Sequence, residues 1–186
     1  MTRSENTLHN PQKLYWSTPI PFTPFHFGPG LLVKACGFDR FWLTSFVLAN
    51  VLIDLEVLYW VCRAESPIHR HLHTYVGGLA AGLVAGLIMF GVSQIVRRFV
   101  PARWSCVERL TRTPGRTLVA ESLLAGCIGG VSHIVFDSFM HHDMNPFRPF
   151  AEGNALAGSV DVGTLHVGLA LTGFFGVAVW LLLRDW

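Results

Sequence analysis

Charge is what this sequence has least of. Only 14% of its 186 residues are Asp, Glu, Lys or Arg, whereas a soluble domain carries roughly 25%. With 51% hydrophobic residues and a mean hydropathy of +0.43, this deficit excludes an ordinary water-soluble domain and reads as a membrane protein. The charge that is present nearly cancels, leaving a formal net of +2. That is too little to suggest nucleic acid as a partner. Cysteine is scarce as well: Cys36, Cys62, Cys106 and Cys127 show no C-x-x-C spacing. Cys36, Cys62 and Cys127 lie in or beside apolar segments and read as packing residues, not as zinc ligands or disulfides. Residues 1–20 contain no apolar run of the signal-peptide type, so the spans themselves are expected to direct insertion.

What is present is a series of apolar runs. A bilayer needs about 20 apolar residues per helix. Arg40–Cys62, Tyr75–Val96, Thr117–Met140 and Val162–Leu183 meet that length, while Leu31–Cys36 is too short and reads as a half-helix. The expected fold is therefore all-α: a polytopic bundle of four spanning helices plus a short N-terminal half-helix. It would form one domain over residues 26–186 behind a polar, proline-containing arm over 1–25. Ser66-Pro67 looks like an N-cap and first helical position, so a helix is expected to start there. Gly78, Gly82 and Gly86 repeat every four residues, and Gly126 and Gly130 form a G-x-x-x-G pair, both suited to close helix packing. Between the second and third spans lie six arginines (97, 98, 103, 109, 112, 116) against Glu108. By the positive-inside rule this loop is cytoplasmic, with Ala102–Leu110 as an interfacial helix. The loops at 63–73 and 141–160 then fall on the extracytoplasmic side of a cytoplasmic (inner) membrane.

Against this apolar background the ionisable residues inside the spans stand out, because they are costly there and mark function. His133, Asp137 and His141 are spaced i, i+4, i+8 and share one helix face. His69 and His73 share a face by the same rule, and His71 does not. Imidazole and carboxylate on one face suit Zn²⁺ or Mn²⁺. Antiparallel pairing about turns near residues 39, 107 and 151 sets depth. It brings His26 within a turn of Asp54, His73 level with His141, and Asp137 beside His166, with Asp161 level with His141. The expected metal ligands are therefore His26, Asp54, His69, His73, His133, Asp137 and His141. Asp54 and Glu56 are i, i+2 and cannot both face one point of a regular helix. The carboxylate left outside, with Glu56 carried forward as that group, and Asp143 are expected to act as general base. Asp161 and His166 would support the ligands. Arg70 and Arg148 flank the layer and would bind a phosphate or carboxylate of the substrate bidentately, or lipid headgroups from outside. His9, His142 and Glu121 are expected to lie apart from the site.

The set Thr23-Pro24-Phe25-His26, Asp54-Leu55-Glu56, His69-x-x-x-His73 and His133-x-x-x-Asp137, in that order, resembles the predicted membrane-bound metal-dependent hydrolases. That family includes the LexA-regulated inner-membrane proteins of bacteria. Its usual H-R-G-x-x-H segment reads His69-Arg70-His71-Leu72-His73-Thr74 here, and its D-x-D-type cluster reads Asp54-Leu55-Glu56. In ligand type the chain is similar, more distantly, to the all-helical zinc phospholipases C. The resemblance implies a hydrolase using a divalent metal, for which Zn²⁺ is the expected ion. A site among headgroups suggests a lipid phosphodiester or ester as substrate, and membrane lipid as partner, with a homo-oligomer left open. The competing reading is a metal-binding membrane protein without hydrolysis, either transporter or sensor. It would be favoured by a polar ladder running to the cytoplasmic face, where only Glu121 stands among the spans. A membrane di-iron oxygenase would need further histidine boxes that the chain lacks.

Overall fold

The structure is a computed structural model that describes residues 23–37, 42–101 and 105–183. The arm expected over residues 1–25 lies outside these except for Thr23–Phe25, and so do His9, Arg40, Arg103 and Arg184. A 3-10 turn, Thr23–His26, runs directly into α1 (Phe27–Ala35). There follow α2 (Leu43–Cys62), α3 (Tyr75–Phe99), α4 (Ser105–Arg112), α5 (Gly115–Met140) and α6 (Val162–Leu183). Helices α2, α3, α5 and α6 are each long and apolar enough to cross a membrane. No strand occurs among the described residues. The chain is thus an all-helical polytopic bundle preceded by a half-helix.

Small residues decide how these helices pack. A Cβ on Gly82 of α3 would lie 2.5 Å from the carbonyl oxygen of Gly126 on α5, and one on Gly86 would lie 2.7 Å from the Leu123 Cα. The two glycine stripes therefore face each other, and the backbones touch as lipid-embedded helices do when dispersion contacts drive association. Ser122 of α5 adds hydrogen bonds across the same region, to Ser45 of α2 and the Gly86 carbonyl, both 2.8 Å. Helix α5 is the central element: 44% of its most apolar window is buried, against 11% for α6. Helix α6 packs chiefly on α1. There a Cβ on Gly28 would meet Thr172 Oγ1 at 2.6 Å, and one on Gly176 would meet the Leu32 nitrogen at 2.7 Å. On its other side α1 meets Phe46 of α2, 2.7 Å from the Cβ position of Gly30. Wedged in this way, the half-helix carries His26 to the bundle interior.

Three expectations need correction. No helix begins at Ser66-Pro67; α3 starts at Tyr75, where Thr74 Oγ1 accepts from the Gly77 amide at 2.9 Å. The amides of Ile68, His69, His71 and Leu72 are held by the side chains of Asp143 and Glu56 rather than by helical carbonyls. That keeps residues 66–74 as a shaped loop. Cys36 and Cys62 are exposed rather than packed, and they and Cys127 are free thiols. The short amphipathic element in the arginine-containing loop covers Ser105–Arg112 and so runs past Leu110, while residues 102–104 lie outside the described residues.

Candidate metal centre

At the end of the bundle where α2 and α5 finish and α3 begins, five histidines and two carboxylates converge. His26, His69, His73, His133 and Asp137 are all buried, at 4% exposure or less. Asp137 is the hub. Its Oδ1 lies 3.2 Å from His26 Nε2, and its Oδ2 lies 3.1 Å from His133 Nε2 and 3.6 Å from His73 Nε2. His133 Nε2 is also 3.3 Å from Asp54 Oδ1. The rings are stacked or set edge to face: His26 on His133 with centroids 4.5 Å apart, and His69 on His141 at 4.0 Å. Each expected ligand is brought into this cluster, although His69 and His73 arrive from a loop and not from one helix face.

The outer ring nitrogens are held from behind. His73 Nδ1 lies 3.1 Å from Glu56 Oε2, His69 Nδ1 lies 2.8 Å from Asp143 Oδ1, and His133 Nδ1 lies 3.0 Å from Asn50 Oδ1. A carboxylate only accepts, and the Asn50 amide already donates to the Phe46 carbonyl at 2.8 Å, so these nitrogens carry the protons. In the neutral ring each Nε2 is then a bare lone pair. For His73 and His133 that lone pair points at the Asp137 carboxylate. His73 Nε2, His133 Nε2, His141 Nε2 and both Asp137 oxygens are buried and make no hydrogen bond among the described residues. Lone pairs facing lone pairs in a buried space repel, and unsatisfied buried polar atoms are expensive. A cation between them removes both penalties, as a proton shared between imidazole and carboxylate would for one pair at a time, and the donor set of imidazoles and carboxylates fits a divalent metal.

Electrostatics outside the spans agree. Burial pushes the His73 imidazole below its usual value. Burial, reinforced by the neighbouring His69, pushes His141 down to about 4. Both are therefore neutral at pH 7, the form that binds metal. Burial alone would raise the Asp143 carboxyl, but its hydrogen bond to His69 outweighs this and holds it at about 2.

Glu56 and Asp143, the expected general bases, are both engaged within the chain. Both Glu56 oxygens are engaged, Oε1 with the His71 amide at 2.8 Å and Oε2 with the Leu72 amide at 2.8 Å besides His73. Asp143 likewise receives the Ile68 and His69 amides. These are the contacts of groups that orient histidines and brace a loop. Arg70 lies over the Trp60 ring at 3.5 Å and donates to the Pro67 carbonyl at 2.7 Å, and Arg148 pairs with Glu152 at 2.8 Å. Both arginines thus have partners in their own chain. Asp161 caps α6 by accepting from the Thr164 amide at 2.8 Å. His166 packs edge-on against Phe25. His71 and His142 are exposed. Glu121 sits at the other end, accepting from Trp42 Nε1 at 3.2 Å.

Sequence reasoning missed Asn50. It is uncharged and stands in the middle of an apolar span, and that position was its only signal. It also missed Asn154, whose amide donates to the Ser138 and His141 carbonyls, both 2.9 Å, and so ties the 141–160 loop to the end of α5.

No protein-family model, curated protein or solved structure matches this chain.

Proposed function

We propose that this chain is a membrane-embedded metal-dependent hydrolase acting on a lipid phosphodiester or ester at the extracytoplasmic face of a cytoplasmic membrane. The observation that carries this is the set of buried, hydrogen-bond-free Nε2 and carboxylate atoms around Asp137. Asp54, His73, His133 and Asp137 each offer a ligand atom, all within 4.8 Å of one another, and they would hold the ion. A divalent cation there, with Zn²⁺ as the expected ion, supplies Lewis-acid chemistry: it polarises a phosphoryl or carbonyl oxygen and makes water more acidic.

The chain's own residues do the rest. Glu56 and Asn50 fix the tautomers of His73 and His133, so that both present Nε2 inward. Ile53 and Ile134, the chain neighbours of Asp54 and His133, belong to a buried apolar cluster with Ala81 and Met144, which limits water on that side of the ligands. Asp54 and Asp143 keep 22% and 28% side-chain exposure, and substrate would reach the cluster past them. A transporter would need polar groups continuing to the other end. The buried serine hydroxyls in that half among the described residues, Ser45, Ser93 and Ser122, bind one another or backbone carbonyls, the contacts of helix packing.

The test is metal content of detergent-purified protein, wild type beside His133→Ala and Asp137→Ala, followed by assay on phospholipid vesicles. Near-stoichiometric metal lost in both folded variants, with lipid cleavage by the loaded wild type, is expected. Wild type that stays metal-free after reconstitution would remove the reading.

A further inference from the structure

We infer that the chain holds two divalent cations that share Asp137: an inner one on Asp54, His73, His133 and Asp137, and an outer one on His69, Asp137 and His141. This rests on the metal-dependent reading above and specifies its centre.

Donor count is the first argument. A zinc ion takes four ligands, and the inner set supplies four by itself. His26, His69 and His141 are then left over; His26 Nε2 lies 3.2 Å from Asp137 Oδ1, the His69 and His141 rings lie 4.0 Å apart, and His141 Nε2 is buried with no hydrogen bond among the described residues. One ligand atom from each of His69, Asp137 and His141 forms a second group within 4.8 Å, and Asp137 is the residue common to both groups.

The geometry of Asp137 is the second argument. Its Oδ2 faces His133 and His73, whereas its Oδ1 faces His26 at 3.2 Å. A carboxylate whose oxygens point to different neighbours can serve two ions at once. The third argument is that each set has its own orienting carboxylate. Glu56 stands behind His73 of the inner set and Asp143 behind His69 of the outer set.

The two positions also differ in character. Four protein ligands hold the inner one, while three leave the outer one the more open to a substrate oxygen, as in catalytic sites. Paired ions suit the in-line displacement of a phosphoryl group, because they stabilise attacking and leaving oxygens together. The substrate class narrows accordingly from lipid esters in general to phosphodiesters.

The experiment loads detergent-purified full-length protein with Mn²⁺, counts metal by elemental analysis and records its EPR spectrum. Wild type is compared with Asp137→Asn and with the double variant His69→Gln/His141→Gln, each checked for monodispersity and helicity. Two ions per wild-type chain with an exchange-coupled signal, as expected for ions about 3.5–4 Å apart, are predicted. The double variant should retain one ion with an isolated six-line spectrum, and Asp137→Asn should lose the coupling. One ion in both wild type and double variant, or two uncoupled ions in wild type, would overturn the inference and leave the metal-dependent reading standing. No ion in wild type would remove both. Should the double variant not fold, the wild-type count and coupling decide alone.

Discussion

A histidine binds metal only in the right tautomer, and at three positions this chain sets the tautomer with a second residue. Glu56 is the most tightly held of these, with both oxygens occupied and His73 Nδ1 at 3.1 Å. Glu56→Gln keeps the shape but replaces one acceptor by a donor. Its expected effect is a 10–100-fold loss of metal affinity with the fold intact, measured by chelator competition. Unchanged affinity would mean that Glu56 serves the loop alone. The ionisation of His141 and Asp143 gives a second prediction, for metal-stripped protein. The folded His141 has a pKa of about 4 against an ordinary 6.5, so between those values the unfolded chain binds a proton that the folded chain refuses. Its contribution to stability is complete above pH 6.5 and is lost as pH falls toward 4. Asp143, at about 2 against 3.8, adds a loss that sets in below pH 3.8. The melting temperature of the stripped protein in detergent should therefore drop from pH 7 to pH 4. A flat or rising curve would contradict the placement of His141, and the absence of a further drop below pH 3.8 would contradict that of Asp143.

Helices α3 and α5 approach as closely as they do because neither has a side chain at the crossing. A methyl on Gly82 would sit 2.5 Å from the Gly126 oxygen and 2.7 Å from the Cys127 Cα. Both are backbone atoms and cannot swing aside. Gly82→Ala is expected to destabilise the bundle by about 1–3 kcal/mol. It should also weaken metal binding, since α3 follows His73 and α5 carries His133 and Asp137. Gly91 lies on the same helix with nothing within 4 Å of its Cβ position. Gly91→Ala should be neutral, or stabilising by up to about 1 kcal/mol through helix propensity. Denaturation in mixed micelles compares the two; equal effects would show that propensity, and not the crossing, governs stability. Helix α1 depends on the same device, because Gly28 and Gly30 let it lie between α6 and α2 and deliver His26.

For the whole molecule, the open matter is orientation, and two native thiols report on it. Cys62 is exposed at the end of α2, on the histidine side, and Cys36 is exposed just after α1, on the opposite side. If the arginine-containing loop faces the cytoplasm, a membrane-impermeant maleimide should label a Cys62-only variant in intact cells. A Cys36-only variant should be labelled only after permeabilisation. The reverse pattern would place the histidine cluster inside and shift the substrate to cytoplasmic-leaflet lipids or soluble esters.

Hydropathy by itself determined the four spans, since burying backbone in lipid demands long apolar helices wherever they pack; α6 begins and ends where its apolar run does. Spacing also determined the polar layer, because an antiparallel turn fixes depth: His26, Asp54, His73 and Asp137 meet at the level expected. Periodicity failed where side chains override it. The 66–74 loop is shaped by Glu56 and Asp143, two carboxylates distant in sequence, so His69 and His73 converge without a helix face between them. Rotation about each helix axis was equally beyond the sequence. It separates Glu56, behind a histidine, from Asp54, beside His133, and leaves His166 against Phe25. Which glycines touch which backbone settles that rotation, and such contacts exist only once the helices are packed.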